Sequence, residues 1–253
     1  MIVENAGEVE FSFKVYATPY TVIGDSYEPD FNSETNFTQI SRWISFDQTQ
    51  FTIAPGERQT VNFHIAVPKD VPAGGQYATI FAETLNDNTS PSEGIQMVAR
   101  VGLIVYAKVA GETRETAEII NFSLPTFYSA FNVPDITATS RVKNTGNTDL
   151  EAIYSFKISS IFNNAVHEDR RVQIVFPETE RQIEIKWDDT PLLGLFKVNF
   201  SVVIGDANQE INAVVLVIPP WLIIITLLLL TFLIVWIIIK LKRRGQLRSR
   251  FKL

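Results

Sequence analysis

The sequence contains no cysteine, and only two of its 253 residues are histidine. Without cysteine, the chain has neither disulfides nor thiolate chemistry. It also lacks HExxH, CxxC, GxGxxG and P-loop motifs. A Ser–His–acid site would need His64 or His167, but His64 lies on the polar side of an alternating stretch and His167 lies in the charged stretch HEDRR. We therefore expect both histidines to be solvated surface residues and the protein to be non-enzymatic.

Basic charge is scarce outside the C-terminus. Seven of the 22 basic residues and no acidic residue lie in Lys240–Leu253, which leaves 15 basic and 28 acidic residues in 1–239. A protein that binds nucleic acid needs a basic face to neutralise phosphates, so we expect no nucleic-acid partner.

Two clusters of acidic residues contain the oxygen ligands that calcium binds, but neither cluster has the residue spacing of a calcium-binding loop. We expect solvated carboxylates at both places, with no metal and no cofactor. The groups consist of Asp25, Glu28 and Asp30, and of Glu83 and Asp87 with nearby Asn86 and Asn88.

Apolar residues alternate with polar ones along several short stretches, which is the period of a β-strand with one buried face. Gly, Pro, Asn and Asp bound each stretch, and no helical period appears before residue 219. The pattern predicts an all-β fold of immunoglobulin-like sandwiches. The apolar positions are Val9, Phe11, Phe13 and Val15; Val61, Phe63, Ile65 and Val67; Ile183, Ile185 and Trp187; and Phe196, Val198, Phe200, Val202 and Ile204.

The same pattern of strands and turns occurs twice along the chain. Pro72, Gly75 and Tyr77 match Pro191, Gly194 and Phe196 at a constant separation of 119 residues, and the turn at Pro55–Gln59 matches the one from Pro177 to Gln182. Asn5 and Gly7 recur as Asn144 and Gly146. Two tandem copies of one domain explain this repetition. We predict a first sandwich over 1–109 and a second over 110–218.

A long uncharged run follows the second copy. Trp221–Ile239 has 19 residues without a charge, and as a helix it would be about 28 Å long, enough to cross the hydrocarbon core of a bilayer. We predict a transmembrane helix over 219–239 and a basic tail over 240–253. Trp221 and Trp236 near the ends of the run, and the first cations of the tail, are the expected membrane-interface residues: Lys240, Lys242, Arg243 and Arg244.

The basic tail also predicts orientation. Lysine and arginine favour the cytoplasmic side, so the tail is expected there and the acidic body outside, in a single-pass cell-membrane protein. The first residues, MIVENAGEVE, have neither the basic nor the apolar region of a signal peptide. The sequence thus predicts an upstream extension that carries a signal peptide and one more strand.

The order of these motifs resembles a known family. The similarity is to the membrane-anchored WxL-interacting proteins of Gram-positive cell envelopes, and it rests on Asn5-x-Gly7, the WISF stretch at Trp43–Phe46, the PGE turn at Pro55–Glu57, the VKNTGN stretch of the second copy, a single span and a basic tail. The resemblance implies tandem immunoglobulin-like domains, the first related in pattern to pilus-assembly chaperones. It also implies a non-enzymatic surface protein that contacts peptidoglycan and envelope proteins.

An unusual segment runs from Tyr16 to Phe46. Its aromatic residues alternate with Asp, Asn, Ser and Thr, a composition that suits the faces and hydroxyls of sugar rings. The alternative is that the rings pack the segment onto the sandwich. Tyr20, Tyr27 and Trp43 are the candidate glycan-binding residues. Tyr20 and Tyr27 are expected to face water, whereas Trp43 is the candidate most readily explained as core.

The sequence therefore predicts a protein that binds rather than catalyses, with the lipid bilayer, peptidoglycan or another cell-wall glycan, and envelope proteins as expected partners. The main alternative is a chaperone-like assembly factor, which would pair with a client strand through a long uncovered apolar sheet edge. A structural spacer is the third reading, and it would show neither an aromatic cleft nor an open edge.

Overall fold

The computed structural model describes residues 1–85, 98–128, 136–161, 164–188 and 190–250, with the backbone alone over 242–250. Short strands occupy most of the chain up to residue 217, and one long helix follows them. This confirms the predicted fold class of all-β, immunoglobulin-like sandwiches followed by a C-terminal helix. The domain limits at residues 109 and 218 stay a prediction.

The described strands of the first half form one four-stranded antiparallel sheet and three two-stranded pairs. The large sheet has the order β10-β9-β2-β6, and the pairs are β1–β7, β3–β4 and β5–β8. A 3₁₀ helix at Gln39–Arg42 lies between β4 and β5. The strands are β1 (Ile2–Glu4), β2 (Phe11–Pro19), β3 (Thr21–Ile23), β4 (Glu28–Asp30), β5 (Ile44–Phe46), β6 (Gln50–Ile53), β7 (Arg58–Thr60), β8 (Phe63–Ile65), β9 (Gly74–Thr84) and β10 (Arg100–Val109).

The predicted strand over Thr60–Val67 is wrong. The chain leaves β7 after Thr60 and joins a different pair at β8, so that one alternating stretch serves two sheets. Val61 at the crossover is buried, but Ile65 and Val67 are exposed. The alternation of apolar and polar residues therefore predicted an extended backbone here, but it did not predict that the apolar side chains would share one buried face. Val9 is also exposed, because β2 begins only at Phe11.

The second half forms two facing sheets. One has the order β11-β13-β16 and the other the order β12-β18-β17-β14-β15, and among the described strands only β12 and β18 pair in parallel. The strands are β11 (Ala117–Ser123), β12 (Phe127–Tyr128), β13 (Ile136–Asn144), β14 (Leu150–Ser160), β15 (Ala165–Val175), β16 (Glu180–Trp187), β17 (Gly194–Ile204) and β18 (Ala207–Val217).

The core of the second half follows the predicted alternation. Every second residue of β16 and β17 is at most 7% exposed, from Ile183 to Trp187 and from Phe196 to Ile204. Phe200 stacks on Phe122 of the opposite sheet at 4.6 Å between ring centroids. Burial on one face thus joins the two sheets, as the sequence pattern predicts.

The sequence repeat is also a repeat of hydrogen bonds. The Asn5 side chain donates to the carbonyl oxygens of Val9 and Ile53 and accepts from the Gly7 amide. Asn144 makes the same three bonds, with Thr148, Val175 and Gly146. Each buried asparagine therefore joins its own turn to a distant strand end.

The two matched glycines, Gly75 and Gly194, are required for the same steric reason. A Cβ built on Gly75 would lie 2.0 Å from the Tyr77 hydroxyl oxygen, and one built on Gly194 would lie 2.5 Å from the Phe196 ring. In both strands the ring two residues later folds back over the glycine. Gly74 and Gly75 are the first two residues of β9.

Helix α1 (Pro220–Arg250) follows β18 after two residues. Its segment Pro220–Leu241 has a mean hydropathy of 3.3 and is a candidate membrane span, judged by its length and composition. Trp221 and Trp236 are about half exposed, and the Lys240 ammonium lies 4.6 Å from the centre of the Trp236 ring. The side chains of Lys242, Arg243 and Arg244 lie outside the described residues.

Candidate functional site

The predicted glycan-binding residues do not surround one open cleft. Tyr20 is only 8% exposed, so the expectation that it faces water is wrong. Its ring packs against Phe31, Tyr106 and Phe176 at 5.5 to 6.3 Å between centroids. Burial of this ring between the two halves of the chain explains the correction.

Tyr27 belongs to the same aromatic cluster, where it bridges the two halves. Its ring lies parallel to that of Phe176 at 6.0 Å, and its hydroxyl accepts a hydrogen bond from the Phe176 amide at 2.6 Å. The Arg181 guanidinium lies 4.2 Å from the ring centre. Burial raises the pKa of the Tyr27 hydroxyl. Tyr27 is thus half-buried at the junction rather than open to water.

Trp43, the third candidate, is 8% exposed and packs with Ile40 and Ala78. The segment Tyr16–Phe46 as a whole is organised by the end of β2, by β3 to β5 and by the 3₁₀ helix, and it lies against both halves. Tyr20, Tyr27 and Trp43 therefore pack the segment onto the rest of the protein, as the alternative interpretation predicts. Glycan binding itself stays a prediction.

Backbone contacts also hold the halves together. The Gly75 amide donates to the Asn147 carbonyl oxygen at 2.8 Å, and the Asn147 side chain donates to the Ala73 carbonyl oxygen at 2.9 Å. The Tyr77 hydroxyl donates to Asp149 Oδ1 at 2.8 Å and accepts from the Asp149 amide. Because a Cβ on Gly74 would lie 2.1 Å from the Asn147 carbonyl oxygen, this approach requires glycine.

The two histidines are in different surroundings. His64 is exposed, as expected, and its Nε2 lies 2.9 Å from Asp47 Oδ1. His167 is half-buried between the rings of Phe156 and Trp187, so the expectation of a solvated side chain is wrong. It lies on β15, where its face turns toward the core.

The acidic groups have partners of their own. Asp25 forms an ion pair with Arg141 at 2.8 Å, and Asp30 accepts a hydrogen bond from the Asn32 amide. Glu83 accepts from the Lys14 ammonium at 2.8 Å and from the Tyr16 hydroxyl at 2.5 Å. These two donors hold the pKa of the Glu83 carboxyl below its usual value. Asp87, Asn86 and Asn88 lie outside the described residues.

A feature that sequence reasoning missed is the open edge of the four-stranded sheet. β10 pairs with β9 over ten residues, from Arg100↔Glu83 to Val109↔Gly74, and with no other strand among the described residues. Half of its backbone N–H and C=O groups therefore point away from the sheet, as in any edge strand.

The edge carries exposed apolar side chains on both faces. Val101 is 73% exposed and Leu103 is 42% exposed on the face toward the core, and Ile104 and Tyr106 are 45% and 51% exposed on the other face. Further along the core face, Val105, Ala107 and Val109 pack against the cluster of Ile40 and Trp43. The core face of β10 is therefore covered at one end and open at the other.

The open end borders an apolar groove of about 500 Å³ between β10 and β1. Phe13 and Ala82 form its floor, and Val101 and Leu103 form one wall. The opposite wall is formed by Met1, Ile2 and Val3. Among the described residues, β1 pairs with β7 and β10 pairs with β9, so no strand joins these two walls.

The sequence marks this strand but not its position at an edge. The middle of RVGLIVYAKV is apolar on both faces, whereas a strand with one solvated face alternates. Two-sided apolar character at a sheet edge is unusual for a soluble domain, because it invites pairing with another strand.

No protein-family model matches the sequence, and no curated protein matches it. Solved structures are similar to it over most of its length. The class 5 fimbriae chaperone CfaA matches at 13% identity with a TM-score of 0.39, covering 86% of this chain and 90% of that one. The Escherichia coli chaperone DraB matches at 10% identity with a TM-score of 0.38, covering 84% and 87%. The Pseudomonas aeruginosa chaperone CupB2 matches at 8% identity with a TM-score of 0.35, covering 84% and 89%.

Proposed function

We propose that this chain is a non-enzymatic, membrane-anchored protein of the cell envelope that binds an extended segment of a partner protein along β10. The observation that carries the proposal is the edge of β10 that no described strand pairs with, beside an apolar groove. This is the arrangement expected of the chaperone-like alternative, since it offers both a backbone ladder and a place for side chains.

The edge and the groove bind in complementary ways. An added strand would satisfy the outward N–H and C=O groups of β10, and main-chain hydrogen bonds of this kind give affinity without regard to sequence. Alternate side chains of that strand would enter the groove against Val101, Leu103 and Phe13. We therefore expect the partner segment to have apolar residues at every second position.

Charge contributes to the choice of partner. The acidic excess of residues 1–239 disfavours acidic segments at long range. Arg100 is the first residue of β10, and its guanidinium lies 4.2 Å from the centre of the Phe81 ring at the end of the edge near the groove. Neutral or mildly basic apolar segments fit this edge best.

The apolar helix supports a location for partner binding on the outer side of the membrane. A span over Pro220–Leu241 followed by a basic tail favours a cytoplasmic C-terminus by the positive-inside rule. β10 would then lie outside the membrane, as expected of a protein that contacts other envelope proteins. A structural spacer would need no open apolar edge.

Cell-wall glycan is a second candidate ligand. Beside the buried aromatic cluster lies a small cavity of about 250 Å³, lined by Tyr20, Phe37 and Tyr77 together with the polar side chains of Thr35 and Thr38. Aromatic faces beside hydroxyl groups suit sugar rings. The cavity has about half the volume of the groove, so a glycan would be held through a terminal unit only.

One experiment separates the two ligands. The full chain in detergent is titrated with fluorescent ten-residue peptides that alternate valine and threonine, and is incubated in parallel with purified peptidoglycan. The doubly substituted variant Val101→Glu/Leu103→Glu should lose most of its peptide affinity, because two carboxylates would have to be buried in the groove.

Val214→Glu is the matched control, since Val214 is also exposed on a strand, at 52%, but lies in the second half. It should bind the peptide as the unaltered chain does. Equal peptide binding by the edge variant and the control would overturn the proposal. Retention on peptidoglycan by every variant, without peptide binding, would favour the glycan candidate.

A further inference from the structure

The strand β18 is joined to helix α1 by a short and well-anchored connection. Only Ile218 and Pro219 lie between them, so the sheet ends within about 10 Å of the start of the helix. The Ile218 amide donates to the Tyr128 carbonyl oxygen at 3.1 Å, and Pro219 is buried. The second half therefore has little freedom to move away from the membrane that the helix would cross.

The end of the second half that faces this connection is rich in exposed apolar side chains. Leu195 and Phe127 both pair with Leu216, one residue before the end of β18. Leu192 and Leu193 directly precede β17, and Ile161 follows β14 at the same end. We call this set the membrane-proximal rim: Phe127, Ile161, Leu192, Leu193, Leu195 and Leu216, which are 36% to 57% exposed.

The opposite end of the same sheet has fewer large exposed apolar side chains among the described residues, namely Val172, Ile174 and Val203, which are 38% to 51% exposed. The β17–β18 hairpin turns at Gly205 and Asp206, and Asn208 follows in exposed positions. Asn208 lies nine residues before Val217, about 30 Å along the strand. The end of the sheet that adjoins the helix thus exposes more large apolar side chains, including four leucines and a phenylalanine.

We infer that the membrane-proximal rim inserts into the interfacial layer of the lipid bilayer. Its position next to the first turn of the span places it at headgroup depth, where leucine and phenylalanine side chains are removed from water. The second half would then be a domain seated on the membrane rather than one tethered above it. This inference rests on the proposed membrane span but not on the proposed partner binding.

Absence of cysteine allows a direct test, because one introduced cysteine gives one labelled position. The full chain carrying Leu193→Cys or Ile161→Cys is labelled with the environment-sensitive dye NBD and reconstituted into phosphatidylcholine–phosphatidylglycerol vesicles. Quenching is measured with lipids spin-labelled near the headgroup and with aqueous iodide. Both rim labels should be quenched several-fold more by the lipids than a label at Asn208→Cys, and less by iodide.

A label at Leu228→Cys reports on the helix itself. Lipid quenching at Leu228 together with iodide quenching at Leu193 equal to that at Asn208 would overturn the inference while leaving the span intact. A Leu193 label that is shielded from iodide but not quenched by lipid would also overturn it, because a second protein copy would then cover the rim. Absence of lipid quenching at Leu228 would contradict the span as well as the inference.

Discussion

Tyr77 and Tyr154 are both buried tyrosines, but their hydroxyl groups differ in hydrogen bonding. The Tyr77 hydroxyl exchanges two hydrogen bonds with Asp149 across the junction of the halves. The Tyr154 hydroxyl has no hydrogen-bond partner among the described residues. An isolated hydroxyl in a core is a cost to the folded state, whereas a bonded one that joins two elements stabilises it.

Tyr77→Phe should therefore lower the free energy of unfolding by about 1.5 to 3 kcal/mol, the range for a hydrogen bond to a charged group. Tyr154→Phe should leave it unchanged or raise it, by about 1 kcal/mol at most. Urea unfolding of the full chain in detergent, followed by tryptophan fluorescence, measures both. An equal loss for the two variants would contradict the assigned roles of the hydroxyls.

The same tyrosines predict a limit on stability at high pH. Burial raises the pKa of Tyr77, with the hydrogen bond to Asp149 as the second cause, and burial also raises the pKa of Tyr154. A group whose pKa is raised by folding contributes stability that is complete below its unfolded pKa and is lost as pH rises. Unfolding should thus become easier above about pH 10, by at most about 1.4 kcal/mol per pH unit for each tyrosine. Tyr154→Phe should reduce this slope, and an unchanged slope would contradict the account.

At the scale of elements, the repeated turns show how one structure is kept with different residues. Gly56 has a φ of 76° and Glu178 has a φ of 59° at equivalent positions of the two turns. Each turn is held to its buried asparagine by a backbone bond, from the Gly56 amide to Asn5 and from the Glu178 amide to Asn144. Glycine adopts this conformation without the strain that glutamate bears there.

Gly56→Ala should lower the free energy of unfolding by about 1 to 2 kcal/mol, because a Cβ there meets no neighbour and only the backbone conformation is penalised. Glu178→Gly should relieve that strain, and the greater freedom of glycine in the unfolded chain should offset part of the gain. The urea midpoints of the two variants should therefore move in opposite directions. Destabilisation by Glu178→Gly of more than 1 kcal/mol would indicate that the glutamate side chain has a role of its own.

Sequence reasoning was reliable for elements whose alternation reflects one continuous sheet. β16 and β17 follow the predicted burial because both lie in a complete sandwich, where one face of each strand meets the opposite sheet. It was wrong for Thr60–Val67, because the chain changes sheets at Val61 and period two does not report which sheet a strand joins. Tyr20 was misplaced for a related reason, since its burial depends on Phe176 from the other half.

The open edge could not be deduced from local pattern alone. A strand that is apolar on both faces is typical of the middle of a sheet, but β10 is the last described strand of its sheet, and β1 pairs with β7. Exposure of Val101 and Leu103 therefore depends on long-range topology. The membrane span, in contrast, needs only local composition, and so the sequence predicts it directly.

At the scale of the whole molecule, the second half lies between the candidate membrane span and the first half, which contains the groove. The second half joins the span at one end, and at the other end it meets the first half through Asn147 and Asp149. Gly74 of β9 and its partner Val109 of β10 lie at the junction. The opposite ends of these two strands, at Thr84 and Arg100, are therefore the farthest from it. The groove lies at those ends. If the helix spans the membrane as proposed, the second half, whose longest strands are about 35 Å long, would separate the groove from the membrane. A site for a partner segment at this distance fits a protein that presents or receives strands outside the membrane.

The measurement that tests this account most directly is hydrogen exchange at the backbone amides of β10, in the full chain with and without the alternating valine–threonine peptide. Amides that bond to β9 should be protected in both samples, and the alternate amides that face away from β9 should become protected only when the peptide is bound. The Val101→Glu/Leu103→Glu variant should show no such gain. Peptide binding that leaves the outward amides of β10 exchanging as fast as before would contradict strand addition at this edge.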